Sequence, residues 1–177
     1  MRRLLAAVLL CAGSAVTSAQ DADLEYRVKA AYLFNFTKFI EWPNGAFVGG
    51  RSFSFSICVA GRNPFGPALT TILVGEKAAG LPLAARVVNA GGAAGCHVLF
   101  VPASVPPATY LRAVDTLPVL TVGESPDFLA QGGIINFVLD GGRVRFEINQ
   151  AAAERAQLRI SSRLLQLGRG SESRGEQ

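Results

Sequence analysis

The sequence predicts an α/β fold: a three-layer sandwich whose mixed sheet of about six strands is flanked by helices. Three observations predict it. Short apolar runs alternate with capped helical stretches from residue 53 to 132. A hairpin signature follows, with Asp140-Gly141-Gly142 between two strand-like runs. A long, broadly apolar helix precedes both.

That helix is expected over Asp21 to Trp42. Leu24, Val28, Ala31, Tyr32, Phe36, Phe39 and Ile40 recur at three- and four-residue spacing, while Arg27, Thr37, Lys38 and Glu41 gather on the other side. Pro43 stops it. A Gly- and Asn-containing loop covers 43–51. Residues 53–59 alternate apolar and polar, the pattern of a strand. Asn63-Pro64 opens a helix continuing through 65–74, Asn as cap and Pro at the first position. Arg86 to Val88 is a short strand and Val98 to Val101 a buried one. Pro106-Pro107 opens a helix to Thr116, Val119 to Val122 is a second buried strand, and Ser125-Pro126-Asp127 caps a short helix ending at Gly132-Gly133. Ile134 to Leu139 and Arg143 to Ile148 form the hairpin. Asn149 caps a last helix reaching Leu167, with a break near Leu158.

Residues 1–19 read as an export signal. Arg2 and Arg3 form the charged start, Leu4 to Ala12 the apolar stretch, and Thr17-Ser18-Ala19 the small-residue cleavage site. The apolar stretch is short for a membrane span, the uncleaved alternative. Cys11 has the depth of a lipoprotein cysteine, but Leu10 stands where a small residue is required. The expected organisation is a signal over 1–19, one domain over 20–167, and a disordered tail over 168–177 that lacks large apolar residues. The chain has 17 basic and 13 acidic residues, and Arg2 and Arg3 leave with the signal. The balance that remains is too small and too scattered for nucleic-acid binding.

With the signal removed, Cys58 and Cys96 remain. An even pair in an exported chain implies one disulfide, the alternative being two buried thiols. Such a bridge closes a loop of about 38 residues and contributes about 4 kcal/mol in the chain-entropy model. Cys58 lies late in its strand and Cys96 precedes its own, so a bridge favours an antiparallel or staggered pair. A metal site lacks ligands, because His97 is the single histidine.

The inventory of reactive groups is thin. There is no G-x-S-x-G, and His97 sits beside Cys96 as a surface or capping residue rather than as part of a hydrolase triad. Gly61-Arg62-Asn63-Pro64-Phe65-Gly66 follows a strand, but its spacing fits a tight turn and not a phosphate loop. Asp115, Glu124, Asp127 and Asp140 fall at turns or helix ends, where carboxylates cap. Arg145 and Glu147 share a strand face opposite Phe146, as a structural ion pair or as an orienting pair at a binding surface. Asn35-Phe36-Thr37 matches a glycosylation acceptor inside an apolar helix, which argues against its use. No enzyme, cofactor or metal is expected.

Several stretches stand together in order. They are Val28-Lys29-Ala30-Ala31-Tyr32-Leu33-Phe34-Asn35-Phe36 running on to Glu41-Trp42-Pro43, then Ile57-Cys58, Pro64-Phe65-Gly66 and Cys96-His97-Val98-Leu99-Phe100. Pro118 to Val122, Gly132 to Phe137, Arg145-Phe146-Glu147-Ile148-Asn149 and Ile160 to Leu165 complete the set. From residue 25 to 167 the chain resembles the YfiR family of exported bacterial proteins.

The resemblance implies a periplasmic regulator that represses YfiN, a membrane-bound diguanylate cyclase, and so lowers cyclic-di-GMP and biofilm formation. It also implies that an outer-membrane lipoprotein, YfiB, sequesters the repressor, and that the protein dimerises. The cysteine pair is similar to the family's core bridge. A second pair found in some members is missing, and Gln157 stands where a glycine is common. The partner- or ligand-binding residues expected are Arg145, Glu147, Asn149, Arg163, Tyr32 and Phe36. The alternative is a periplasmic small-molecule sensor serving another receptor or a histidine kinase, with Arg145, Glu147 and Arg163 lining a polar cleft.

Overall fold

A computed structural model describes residues 15–44, 46 and 53–170. Of the expected signal, residues 1–14 lie outside these, and Ala15–Ala19 begin the first helix. Most of the loop at 43–51 and all of 171–177 also lie outside.

The first helix, α1, spans Ala15–Phe36 and is followed by a turn and the two-residue strand β1 (Ile40–Glu41). The helix therefore ends earlier than Trp42. The amides of Thr37, Lys38 and Phe39 bond three residues back, and the Thr37 hydroxyl donates to the Phe34 carbonyl at 2.7 Å. This closes the last turn tightly. β1 then pairs antiparallel with β9 (Arg159–Ile160), setting Ile40 against Ile160 and Glu41 against Arg159. A remote strand thus captures residues whose local pattern is helical.

β2 (Phe55–Ala60) is wholly buried. The next helix, α2, is Ala68–Leu73, shorter than expected. Asn63 makes a turn before it, accepting from the Phe65 amide at 2.9 Å and donating to the Gly66 carbonyl at 3.1 Å. β3 (Lys77–Ala78) and β4 (Leu81–Val88) come next. β4 starts earlier than Arg86. Pro82 is tolerated because it pairs only with Lys77 of β3, while β2 joins from Leu83 onward. A 3-10 segment, Ala90–Gly95, leads into β5 (Val98–Val101), α3 (Pro107–Ala113) and β6 (Leu120–Gly123).

Between β6 and β7 (Ile135–Asp140) the expected short helix is a run of turns. Fully buried Phe128 plugs it. A Cβ at Gly123 or Gly133 would sit 2.3 or 2.1 Å from the Phe128 ring, so only glycine fits there. β7 and β8 (Arg143–Ile148) form the predicted hairpin, with Asp140 facing Arg143. Gly141 and Gly142 take φ of 56° and 73°, the left-handed pair such a turn demands. The last expected helix is two: α4 (Gln150–Arg155) and α5 (Ser162–Leu167), separated by β9. The break is at Gln157, whose φ is +58°. The chain then continues into β10 (Arg169–Gly170), parallel to β8.

The main sheet has eight strands in the order β10-β8-β7-β6-β5-β2-β4-β3, more than the six expected, because two-residue edge strands join it. β4, β2, β5, β6 and β7 run parallel, with β8 and β3 antiparallel to their neighbours β7 and β4. One face packs against α1, α2, α4 and α5 through Leu33, Phe36, Leu69, Ala153 and Leu164. The other packs against the 3-10 segment and α3 through Ala93, Tyr110 and Leu111. The three-layer α/β sandwich is thereby realised.

Candidate functional site

Lys29 is the residue around which the chemistry gathers. It lies on α1 in a stripe with Tyr26, Leu33 and Phe36, positions that a core side chain normally fills. Its side chain is 5% exposed. The ammonium reaches Glu25 one turn back and Glu124, just past β6, at 2.6 Å. Glu124 is buried as deeply. Its other oxygen accepts from the Tyr26 hydroxyl at 3.0 Å and from the Ala103 amide, after β5, at 3.0 Å. The Lys29 ammonium also stands 4.7 Å from the centre of the Tyr26 ring. Burial pushes the Tyr26 phenol well above its usual range, and the Glu124 charge pushes it further. The phenol is thus a fixed donor.

The network seals one end of a cleft of about 470 Å³ at the carboxyl edge of the parallel strands, where β7 runs on past the end of β6. Tyr26, Lys29, Glu124, Asn136, Phe137 and Leu139 line it. Asn136 is 2% exposed, and its Oδ1 has no hydrogen-bond partner. Beside the cleft, a groove of about 840 Å³ runs between α1 and the β7–β8 hairpin. Leu24, Val28 and Leu139 are exposed along it, Asp21 and Glu25 belong to its helix wall, and Arg143 and Arg145 to its hairpin wall.

Cys58 and Cys96 form a disulfide, with Cα atoms 5.8 Å apart. Of the two arrangements expected for their strands, antiparallel or staggered, the antiparallel one is corrected: β2 and β5 are parallel neighbours, with Cys58 opposite Leu99 and Cys96 three residues earlier. Cys96 belongs to the end of the 3-10 segment, which packs over the face to which Cys58 points, and so meets it from above the sheet. The Arg86 guanidinium holds the Gly95 carbonyl at 2.8 Å beside the bridge. His97 is not a surface or capping residue. It is buried, stacked 4.6 Å from Phe55, and its Nδ1 accepts the Ser56 amide at 3.0 Å. Burial lowers its pKa, and the Arg86 charge lowers it further.

The six residues expected to bind a partner or ligand are dispersed. Phe36 is core, with ring centres 5.2 Å from Phe146 and 5.9 Å from Phe137, so it offers no docking surface. Tyr32 packs on the same rings but also lines the groove. Arg145 is exposed in the groove, and Glu147 lines the cleft. Asn149 is committed to structure: it caps α4 by accepting from the Ala152 amide at 3.0 Å and donates to the Leu129 carbonyl. Arg163 is exposed on α5 and lines neither the cleft nor the groove, so it does not join Arg145 and Glu147. Glu124 is no turn cap but the buried partner of Lys29. Sequence reading passed over Lys29, although a lysine inside a core stripe, four residues after a glutamate, signals a buried charge needing partners. Among the described residues no group of three His, Cys, Asp or Glu is placed to hold a metal, and no helix is long and apolar enough to cross a membrane.

A mixed α/β sandwich stapled by one buried disulfide, with a charged cleft at its strand ends, defines the class, and the bridge fits an oxidising compartment. The chain belongs to the YfiR/HmsC-like family, whose profile matches residues 26–169. Among solved structures it is similar in fold to a conserved domain protein from Vibrio cholerae O1 biovar El Tor strain N16961. The TM-score is 0.52 at 13% identity, covering 82% of this chain and 59% of that one. The chain thus spans less than two thirds of that protein's length. No curated protein matches it.

Proposed function

We propose that this chain is a periplasmic regulatory binding protein that represses a membrane-bound signalling enzyme, a diguanylate cyclase of the YfiN type. The observation that carries the reading is membership of the YfiR/HmsC-like family across residues 26–169. The bridge supports an exported setting. The groove between α1 and the hairpin supplies the contact surface, with Leu24, Val28 and Leu139 as apolar anchors and charged residues on both walls. Repression then requires no chemistry. The regulator binds the inactive form of the cyclase more tightly than the active form and shifts the population. A differential of about 5.5 kcal/mol carries it from almost fully on to almost fully off.

The test is co-purification with the membrane cyclase, together with cyclic-di-GMP levels in a deletion strain. Levels rise on deletion and return with the wild-type chain. They do not return with Leu24→Asp plus Leu139→Asp, exposed substitutions that leave the core intact. Unchanged cyclic-di-GMP in the deletion strain refutes the reading.

A further inference from the structure

We infer that the outer edge of β4 is a docking site for one extended strand of a partner protein, a strand that sets a carboxylate opposite Arg86. Three observations carry it. The first is hydrogen bonding. β4 pairs with β2 on one side along residues 83–88, and on the other side with β3 only at Leu81 and Pro82. The Val88 carbonyl accepts from the Gly61 amide just past β2, and the Leu83 amide donates the other way, to the Glu76 carbonyl before β3, each at 3.0 Å. Backbone groups alternate sides along a strand, so those of Ala85 and Val87 turn outward. Among the described residues no strand meets them. They recur at the spacing of a β-ladder, about 6.6 Å, which another extended chain matches. The second is apolar contact. Val87 is 55% exposed, although alternation places it on the face of Leu83 and Ala85, which packs against α2. A strand laid alongside covers it. The third is charge. Arg86 belongs to the opposite face, its guanidinium held beside the edge by the Gly95 carbonyl at 2.8 Å. No ion pair among the described residues includes it.

Charge decides the occupant. A second copy of this chain, laid antiparallel so that Ala85 and Val87 of one copy satisfy Val87 and Ala85 of the other, sets Arg86 against Arg86. Like charges directly opposite repel. A partner strand with a carboxylate at that position is attracted instead, and it meets a guanidinium already fixed in place. The residues on either side of the carboxylate then fall on the face of Ala85 and Val87, where apolar, β-branched side chains fit best. β3 and Pro82 close the edge before Leu83, so the strand seats along residues 84–88.

The inference does not rest on the cyclase partner. β4 and the β7–β8 hairpin lie on opposite sides of the sheet's centre, so its failure leaves the role of the groove untouched. The purified full-length chain, labelled with nitrogen-15, is titrated with the peptide acetyl-Ser-Thr-Val-Glu-Val-Thr-Ser-amide and with the same peptide carrying Lys in place of Glu. The result expected is a saturable shift of the Ala85 and Val87 amide resonances by the Glu peptide, and about tenfold weaker binding of the Lys peptide. Val87→Pro removes an outward N–H while sparing the ladder to β2, and it abolishes binding. Arg86→Gln erases the preference for Glu over Lys and is the variant read where Val87→Pro folds poorly. No saturable binding of the Glu peptide by folded wild-type protein overturns the inference. So does binding that folded Val87→Pro leaves unchanged, and so does equal affinity for the two peptides. A concentration-dependent dimer in sedimentation that Val87→Pro dissolves also overturns it, because a second copy is then the occupant.

Discussion

At Lys29 a full charge occupies a position on α1 where neighbouring stripe residues are core. It is tolerated because Glu124 and Glu25 surround it, and because Glu124 is itself satisfied by Tyr26 and the Ala103 amide. Removing one partner leaves the other charge buried and unpaired. Lys29→Met is expected to destabilise the fold by about 3–5 kcal/mol in urea unfolding. Adding Glu124→Gln should restore a good part of that, since the uncompensated carboxylate is gone. His97 makes the second residue-scale case. Its folded pKa lies below the ordinary value, so the unfolded chain binds the extra proton first. The stability that neutral His97 supplies is complete above about pH 6.5, the unfolded value, and falls as pH drops through that value toward the folded one. Denaturant midpoints at pH 7.5 and pH 5 should show the decline. His97→Asn, whose Oδ1 can still accept the Ser56 amide, should lose this component of it.

Among the elements, the split of the last expected helix is the informative one. Gln157 adopts φ +58°, a conformation that costs an L-residue about 1 kcal/mol and glycine nothing. The strain lets the chain leave α4 and lay Arg159–Ile160 against Ile40–Glu41. Gln157→Gly should therefore stabilise the protein by about 0.5 kcal/mol, the relief being offset in part by a floppier unfolded chain. Gln157→Val should cost more than about 1 kcal/mol, because a branched side chain resists that region. Thermal or urea unfolding of the two variants checks both signs. The same pairing explains why α1 stops at Phe36. Residues 37–42 carry a helical pattern, but Phe39 accepts from the Ser161 amide and Ile40 faces Ile160.

For the whole molecule, the crosslink between Cys58 and Cys96 joins the centre of the sheet to the layer above it across 38 residues of sequence. The enclosed loop contains α2, β3, β4 and the 3-10 segment, so the bridge limits how far the unfolded chain can open. Reduction, or the double change Cys58→Ala and Cys96→Ala, should lower stability by about 4 kcal/mol on the chain-entropy model. Urea unfolding with and without reductant measures it. Both sulfurs are buried among Ala93, Leu99 and Tyr110, so the folded protein should react slowly with reductant and faster in mild urea.

The α/β class, the buried strands around Val98 and Leu120, the Gly141-Gly142 turn, the Asn149 cap and the cysteine pair are legible in the chain because each depends on neighbours a few residues away. Apolar runs, turn chemistry and caps are local signals. The ends of α1, the reach of β4, the parallel relation of the bridged strands and the meeting of Lys29 with Glu124 are not. They depend on residues separated by tens to about a hundred positions, brought together only when the sheet closes. Which buried charge finds its counter-charge, and which strand displaces a helix turn, is decided by competition for partners in the packed interior, and no local stretch of sequence contains that competition.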